Sequence, residues 1–171
     1  MGGTVTTTQT EMLGVDIGEV LVEQHSTDLT VSFSGPNYLN APEMPDAFRV
    51  LRRLREERFG EHIYLITRCG IKRRQKRIEW LDHHAFYDRV GISREPPKYC
   101  WSPHNKSHVC HDLGVTHFID DDPRELVHLS ELIPHLILFR PRRHFPEYEK
   151  FANESTMKVD SWLEIEKLLL P

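Results

Sequence analysis

The chain has 171 residues, 39% hydrophobic and 28% charged, with a formal net charge of −4. That length is enough to build an independent core, and the mildly acidic balance excludes a bulk electrostatic pull towards nucleic acid or anionic membrane. No apolar stretch has the length of a membrane span, and Cys69, Cys100 and Cys110 are spaced too irregularly for a disulfide framework.

Residues 1–10 are Thr-rich, lack the build of a signal peptide and are expected to form a flexible tail. Residues 11–171 are expected to form one domain. The cysteine usage fits a reduced, cytoplasmic protein.

Residues 12–24 are an apolar run broken by Asp16, which predicts a buried first strand. A carboxylate at the end of such a strand needs pairing, hydrogen bonds or a metal; it can also simply cap the next turn. Residues 22–44 are polar and punctuated, with alternation over Leu29–Phe33, which predicts a small hairpin flap. A helix then opens at Pro45 and Asp46, with Pro in its first turn, and ends at Gly60.

His62–Thr67 is a second short apolar run ending in a polar residue. Helix 71–84 follows, and its first half carries Lys72, Arg73, Arg74, Lys76 and Arg77. Such a run can grip a polyanion, although a solvated helix face is the commoner use. Residues 87–92 suggest a weaker strand, 94–104 a loop, and 105–113 a short helix stopped by Gly114. Val115–Ile119 predicts a strand running into Asp120, Asp121 and Asp122. A helix spans Pro123 to about Ile133, with Asp122 as N-cap and Glu125 as capping-box partner. His135–Phe139 is the last predicted strand. Arg140, Arg142 and Arg143 lie in a basic loop, and 162–170 form an amphipathic helix.

Strands alternating with helices predict an α/β fold, a Rossmann-like three-layer sandwich around a mostly parallel sheet, without a large cap domain. Ligands of such sheets bind beyond the carboxyl ends of the strands. Asp16, Thr67, Asp120 and Asp121 all fall there. Adjacent carboxylates repel unless a cation is near, and hard oxygen donors suit Mg²⁺. A metal, a carboxylate nucleophile, a hydroxyl and a lysine together make a phosphoryl-transfer site. Thr67 supplies the hydroxyl. Lys106 supplies the ammonium, with Lys98 as its rival.

These motifs, in this order, resemble the haloacid dehalogenase superfamily, whose commonest members are Mg²⁺-dependent phosphatases. The resemblance runs from about Leu13 to the C-terminus. It sets Asp16 at the nucleophile, Thr67 at the phosphate-binding hydroxyl with Arg68 beside it, and Lys106 at the third-motif lysine. Phe118–Asp121 with Glu125 matches the acidic motif. It implies metal ligation by Asp16, the Gly18 carbonyl, Asp120 and Asp121, with Glu125 behind them. Trp80–His84, His117–Asp121 and Ser161–Ile165 resemble the nucleotidase-like branch.

One position departs from the family pattern. The acid/base Asp two residues after the nucleophile is Gly18 here, and Glu19 stands where Gly is usual. Such a group contributes about 10²–10⁴-fold in rate. The family's backbone path turns Glu19 away from the site. The expectation is therefore a slow or atypical phosphatase acting on a phosphorylated small molecule such as a nucleotide or sugar phosphate, as a monomer or homodimer. The alternatives are an impaired module that binds phosphate or a partner, and a nucleic-acid end-processing phosphatase using the basic helix. Cys100, His104, His108, Cys110 and His111 lack zinc-site spacing. Cys69 is expected to be inert and buried, and Trp101 and Trp162 to be packing residues.

Overall fold

The computed structural model describes residues 10–24, 28–140 and 156–170. Residues 1–9 of the expected tail 1–10, and Arg142 and Arg143, lie outside them.

Six strands form one sheet: β1 (Leu13–Val15), β2 (Ile63–Arg68), β3 (Lys98–Cys100), β4 (His117–Asp120), β5 (His135–Phe139) and β6 (Thr156–Val159). Their order is β3-β2-β1-β4-β5-β6, and every pairing is parallel. β1 is flanked on both sides, with Val15 opposite Leu65 and Ile119. The next residue of β1 and the last of β4 are therefore abreast, which brings Asp16 to Asp120.

Alternation along the strands divides the core between two faces. Ile137 and Phe139 join one cluster, Leu136 and Leu138 the other. On the first face lie α1 (Ala47–Leu54), α2 (Ile71–His83), α3 (Phe86–Val90) and α6 (Trp162–Leu169), which contribute Leu51, Trp80, Phe86 and Trp162. On the second lie α4 (Pro103–Asp112) and α5 (Pro123–Val127), through Cys110 and Leu126. The predicted three-layer sandwich is the observed one. Gly14 is required in β1, because a Cβ there would meet the Phe118 ring at 2.4 Å.

Several local expectations are corrected. The flap is not a hairpin: two 3-10 turns, Leu29–Val31 and Tyr38–Asn40, occupy that segment. Asp28 caps the first by accepting from the Thr30 amide, so side-chain capping replaces cross-strand pairing. Pro45 lies outside α1, whose N-cap is Asp46 in the left-handed region. The last turn before Gly60 widens into a π-helical turn over Arg55–Phe59.

Residues 87–92 are not a strand. Residues 87–90 belong to α3, which buries Phe86, Tyr87 and Val90 and is capped by Gly91 (φ 83°). The loop 94–104 contains β3, an edge strand too short to leave a periodic signal. α4 begins at Pro103, two residues early, because Ser102 Oγ accepts from the Asn105 amide. α5 is a short helix ending at Val127. Trp162 is fully buried, whereas Trp101 is 78% exposed and is not a packing residue. Cys69 is only partly buried.

Candidate active site

The carboxyl ends of β1, β2 and β4 converge on an open cavity of about 200 Å³. Asp16, Gly18, Glu19, Arg68, Lys106, Asp120, Asp121 and Glu125 all line it. Oxygens of Asp16, Asp120 and Asp121 lie within 4.8 Å of one another, and all three residues are buried.

Lys106 comes from α4 on the second face and reaches under this cluster. Its Nζ lies 2.5 Å from Asp120 Oδ2, 3.3 Å from Asp16 Oδ1 and 4.0 Å from Glu125 Oε2. Burial opposes its charge, but Asp120, Asp16 and Glu125 outweigh that and hold its pKa above the ordinary lysine value. Burial pushes the Asp120 carboxyl up to about 7; the Asp16 charge adds to the rise and Lys106 opposes it. One ammonium among these carboxylates leaves negative charge uncompensated. Three converging hard oxygens with surplus negative charge fit a divalent cation such as Mg²⁺.

Asp120 Oδ1 accepts from the Asp122 amide at 3.0 Å, which fixes the turn after β4. Asp122 caps α5 through the Arg124 amide, as expected. Glu125 is not its capping-box partner. Its carboxylate instead accepts from Arg68 and approaches Lys106. Arg68 is thereby brought to the cavity wall.

Thr67 is fully buried and does not line the cavity. Its hydroxyl accepts from Arg77, whose guanidinium does line the cavity. Arg77 is 7% exposed, and its buried Nε has no hydrogen-bond partner. A Cβ at Gly18 would sit 3.1 Å from Arg77 NH2. The space beside Gly18 is therefore bordered by a guanidinium. Glu19 adopts φ 60°, is buried and is one of the residues lining the cavity.

The basic run of α2 is divided by helical register. Arg73 and Arg77, four residues apart, face the cavity. Arg74 lies over the Tyr99 ring, and Lys76 donates to the Gly35 carbonyl. Arg73, Arg77, Gln24 and Arg124 are cavity residues that the sequence reading did not single out as site residues. For the two α2 arginines a signal existed: they lie six and ten residues after Thr67, on one helical stripe.

Other candidates are not brought to the site. Lys98 is in β3, pairs with Glu95 at 3.7 Å and does not line the cavity. His104 and His108 approach within 3.0 Å. Among the described residues, however, only Asp16, Asp120 and Asp121 converge as a possible metal-binding group, so segment 100–111 assembles no such group.

No protein-family model and no curated protein matches the chain. Solved structures do. A D,D-heptose 1,7-bisphosphate phosphatase from Burkholderia thailandensis is similar with a TM-score of 0.59 and 13% identity, covering 94% of this chain and 98% of that one. A haloacid dehalogenase-like hydrolase from Burkholderia xenovorans gives a TM-score of 0.56 and 13% identity, over 83% of this chain and 65% of that one. At such identity the likeness establishes a shared fold. Among the described residues, no helix is long and apolar enough to cross a membrane.

Proposed function

We propose that the protein is a phosphatase of the haloacid dehalogenase type, slow or atypical because Gly18 removes the usual acid/base carboxylate. The observation that carries this reading is the convergence of Asp16, Asp120 and Asp121 oxygens within 4.8 Å, with Lys106 against them. The shared fold with a bisphosphate phosphatase supports it.

Asp16, Asp120, Asp121 and the Gly18 carbonyl would hold Mg²⁺, which neutralises phosphoryl charge when bound. Asp16 is the nucleophile. Its carboxylate attacks phosphorus, the bond to the leaving oxygen breaks, and an aspartyl-phosphate forms. Lys106, 3.3 Å from Asp16 Oδ1, orients that carboxylate. Glu125 positions Lys106 and Arg68. Thr67 acts through Arg77, which presents donors where Thr67 itself is covered. Glu19, a buried carboxyl on the cavity wall next to Gly18, carries the proton to the leaving oxygen. Water then attacks phosphorus and gives its proton back to the Glu19 carboxylate, the bond between phosphorus and the Asp16 oxygen breaks, and phosphate leaves with Asp16 and Glu19 restored.

The substrate class is a phosphorylated small molecule, a nucleotide or sugar phosphate. The test is phosphate release over a panel of phosphomonoesters with and without Mg²⁺, beside Asp16→Asn. Mg²⁺-dependent turnover that vanishes in D16N is expected. No turnover in protein that binds Mg²⁺ would leave a phosphate- or partner-binding module instead.

A further inference from the structure

Arg77 is a buried guanidinium with no carboxylate partner among the described residues, and its Nε donor is unused. Among the described residues its guanidinium donates to a neutral hydroxyl, Thr67 Oγ1. A buried cation held in that way has no direct ion-pair partner among the described residues, and its guanidinium lines the cavity. Arg73 stands one helical turn away on the same cavity wall, exposed and also without a carboxylate partner among the described residues. Like charges at this spacing repel, so the pair is unfavourable until an anion lies between or beside them.

The start of α2 adds to the imbalance. Its N-cap, Gly70, makes no side-chain cap bond, and its first turn holds no acidic residue. It holds Lys72, Arg73 and Arg74 instead, the wrong sign for a helix N-terminus. A bound anion would correct the charge of the turn and of both arginines together.

The acidic cluster and Lys106 occupy the other side of the cavity. The transferred phosphoryl group belongs there, against Asp16. We infer that Arg73 and Arg77 form a second anion subsite, so that the site selects a ligand carrying two phosphate groups joined directly or by a short linkage. This rests on the phosphatase reading above and narrows its substrate class. Arg77 borders both halves, through Thr67 and Gly18, and Arg73 contacts only the second group. Neither is assigned a role in bond breaking.

The test compares inorganic phosphate with methylenebisphosphonate, an unreactive two-phosphate probe, by calorimetric titration at saturating Mg²⁺. The wild type is expected to bind the bisphosphonate about tenfold more tightly or better, as an added charge-assisted contact allows. Arg73→Gln should narrow that ratio about tenfold, whereas Lys72→Gln, an exposed neighbour that does not line the cavity, should preserve it. Arg77→Lys should retain more of the preference than Arg77→Gln. A bisphosphonate bound no more tightly than phosphate, or a ratio unmoved by R73Q, overturns the subsite and leaves the phosphatase reading standing. Binding of neither probe removes both.

Discussion

Lys106 Nζ sits 2.5 Å from Asp120 Oδ2 and joins the second face of the sheet to the ends of its central strands. The lysine is almost completely buried, and its neighbours Asp16, Asp120 and Glu125 are carboxylates. Removing it leaves Asp16 and Asp120 facing each other without that cation, while Glu125 keeps Arg68.

Lys106→Met is therefore expected to destabilise the metal-free protein by about 3 kcal/mol, the scale for breaking a buried pair from one side. Urea unfolding measures this. Saturating Mg²⁺ should recover part of the loss, because a cation binding only the folded state stabilises it. Phosphate release should fall below detection with Mg²⁺ present.

Mg²⁺ affinity should depend on pH. Burial lifts the Asp120 carboxyl to about 7 in the metal-free site. Below that pH a proton competes for the carboxylate, and above it the competition disappears. Calorimetric titration should give an affinity nearly constant from pH 8 upwards and weaker by about tenfold at pH 6, with close to one proton released per ion there. An affinity flat from pH 5.5 to 8 would contradict the site.

On the phosphatase reading proposed above, Gly18→Asp installs a carboxylate where an acid/base would act, yet it should not bring speed by itself. A Cβ at 18 lies 3.1 Å from Arg77 NH2. The new carboxylate would pair with that guanidinium and be held ionised, which makes a poor acid. The single variant should change phosphate release by less than about tenfold, short of the range of a positioned acid/base. Steady-state rates of G18D beside the wild type decide this, and a gain of about 10²-fold or more would contradict it.

Glu19→Gln should lower turnover of alkyl phosphates by about 10²-fold. Aryl phosphates with acidic leaving groups should be much less affected, since they need no proton to depart. Equal losses on both classes would place Glu19 in structure alone.

His117 gives a separate pH signature, remote from catalysis. Burial, then the charges of His135 and Arg58, press its pKa from 6.5 down to about 4. It stacks on His135 at 4.3 Å between centroids and lies 3.3 Å from Arg58 NH2. The folded state refuses a proton that the unfolded state accepts. Its stabilising contribution is thus complete above about pH 6.5 and is lost as pH falls towards 4. Asp120 acts in the opposite sense, so the comparison must be with a variant. Between pH 7 and 4.5 the wild type should lose about 2–3 kcal/mol relative to His117→Gln, read from urea midpoints.

The strand–helix alternation was legible in the sequence because it is local. Apolar runs ending in Asp16, Thr67 and Asp120 mark buried parallel strands, and helical stripes such as Ala47, Leu51 and Leu54 mark the layers above them. Parallel pairing then forces strand ends to one edge, so Asp16, Lys106, Asp120 and Asp121 could be named together. The errors lay where local signals are weak or shared. β3 has three residues and no period of its own. Tyr87–Ile92 has apolar residues that serve a helix as well as a strand. Glu125 fits a capping box until Arg68 and Lys106 compete for its carboxylate.

Only the tertiary structure decided what surrounds Gly18. Whether Arg77 is a solvated charge or a buried one depends on the register of α2 against β1 and β2, which no stretch of sequence encodes alone. Packing turned that residue and Arg73 inward, covered Thr67, and set Glu19 on the cavity wall. The sequence determined which chemical groups gather at the sheet edge. The packing of helix on sheet determined which of them face the cavity, because burial and long-range charge are properties of the assembled layers.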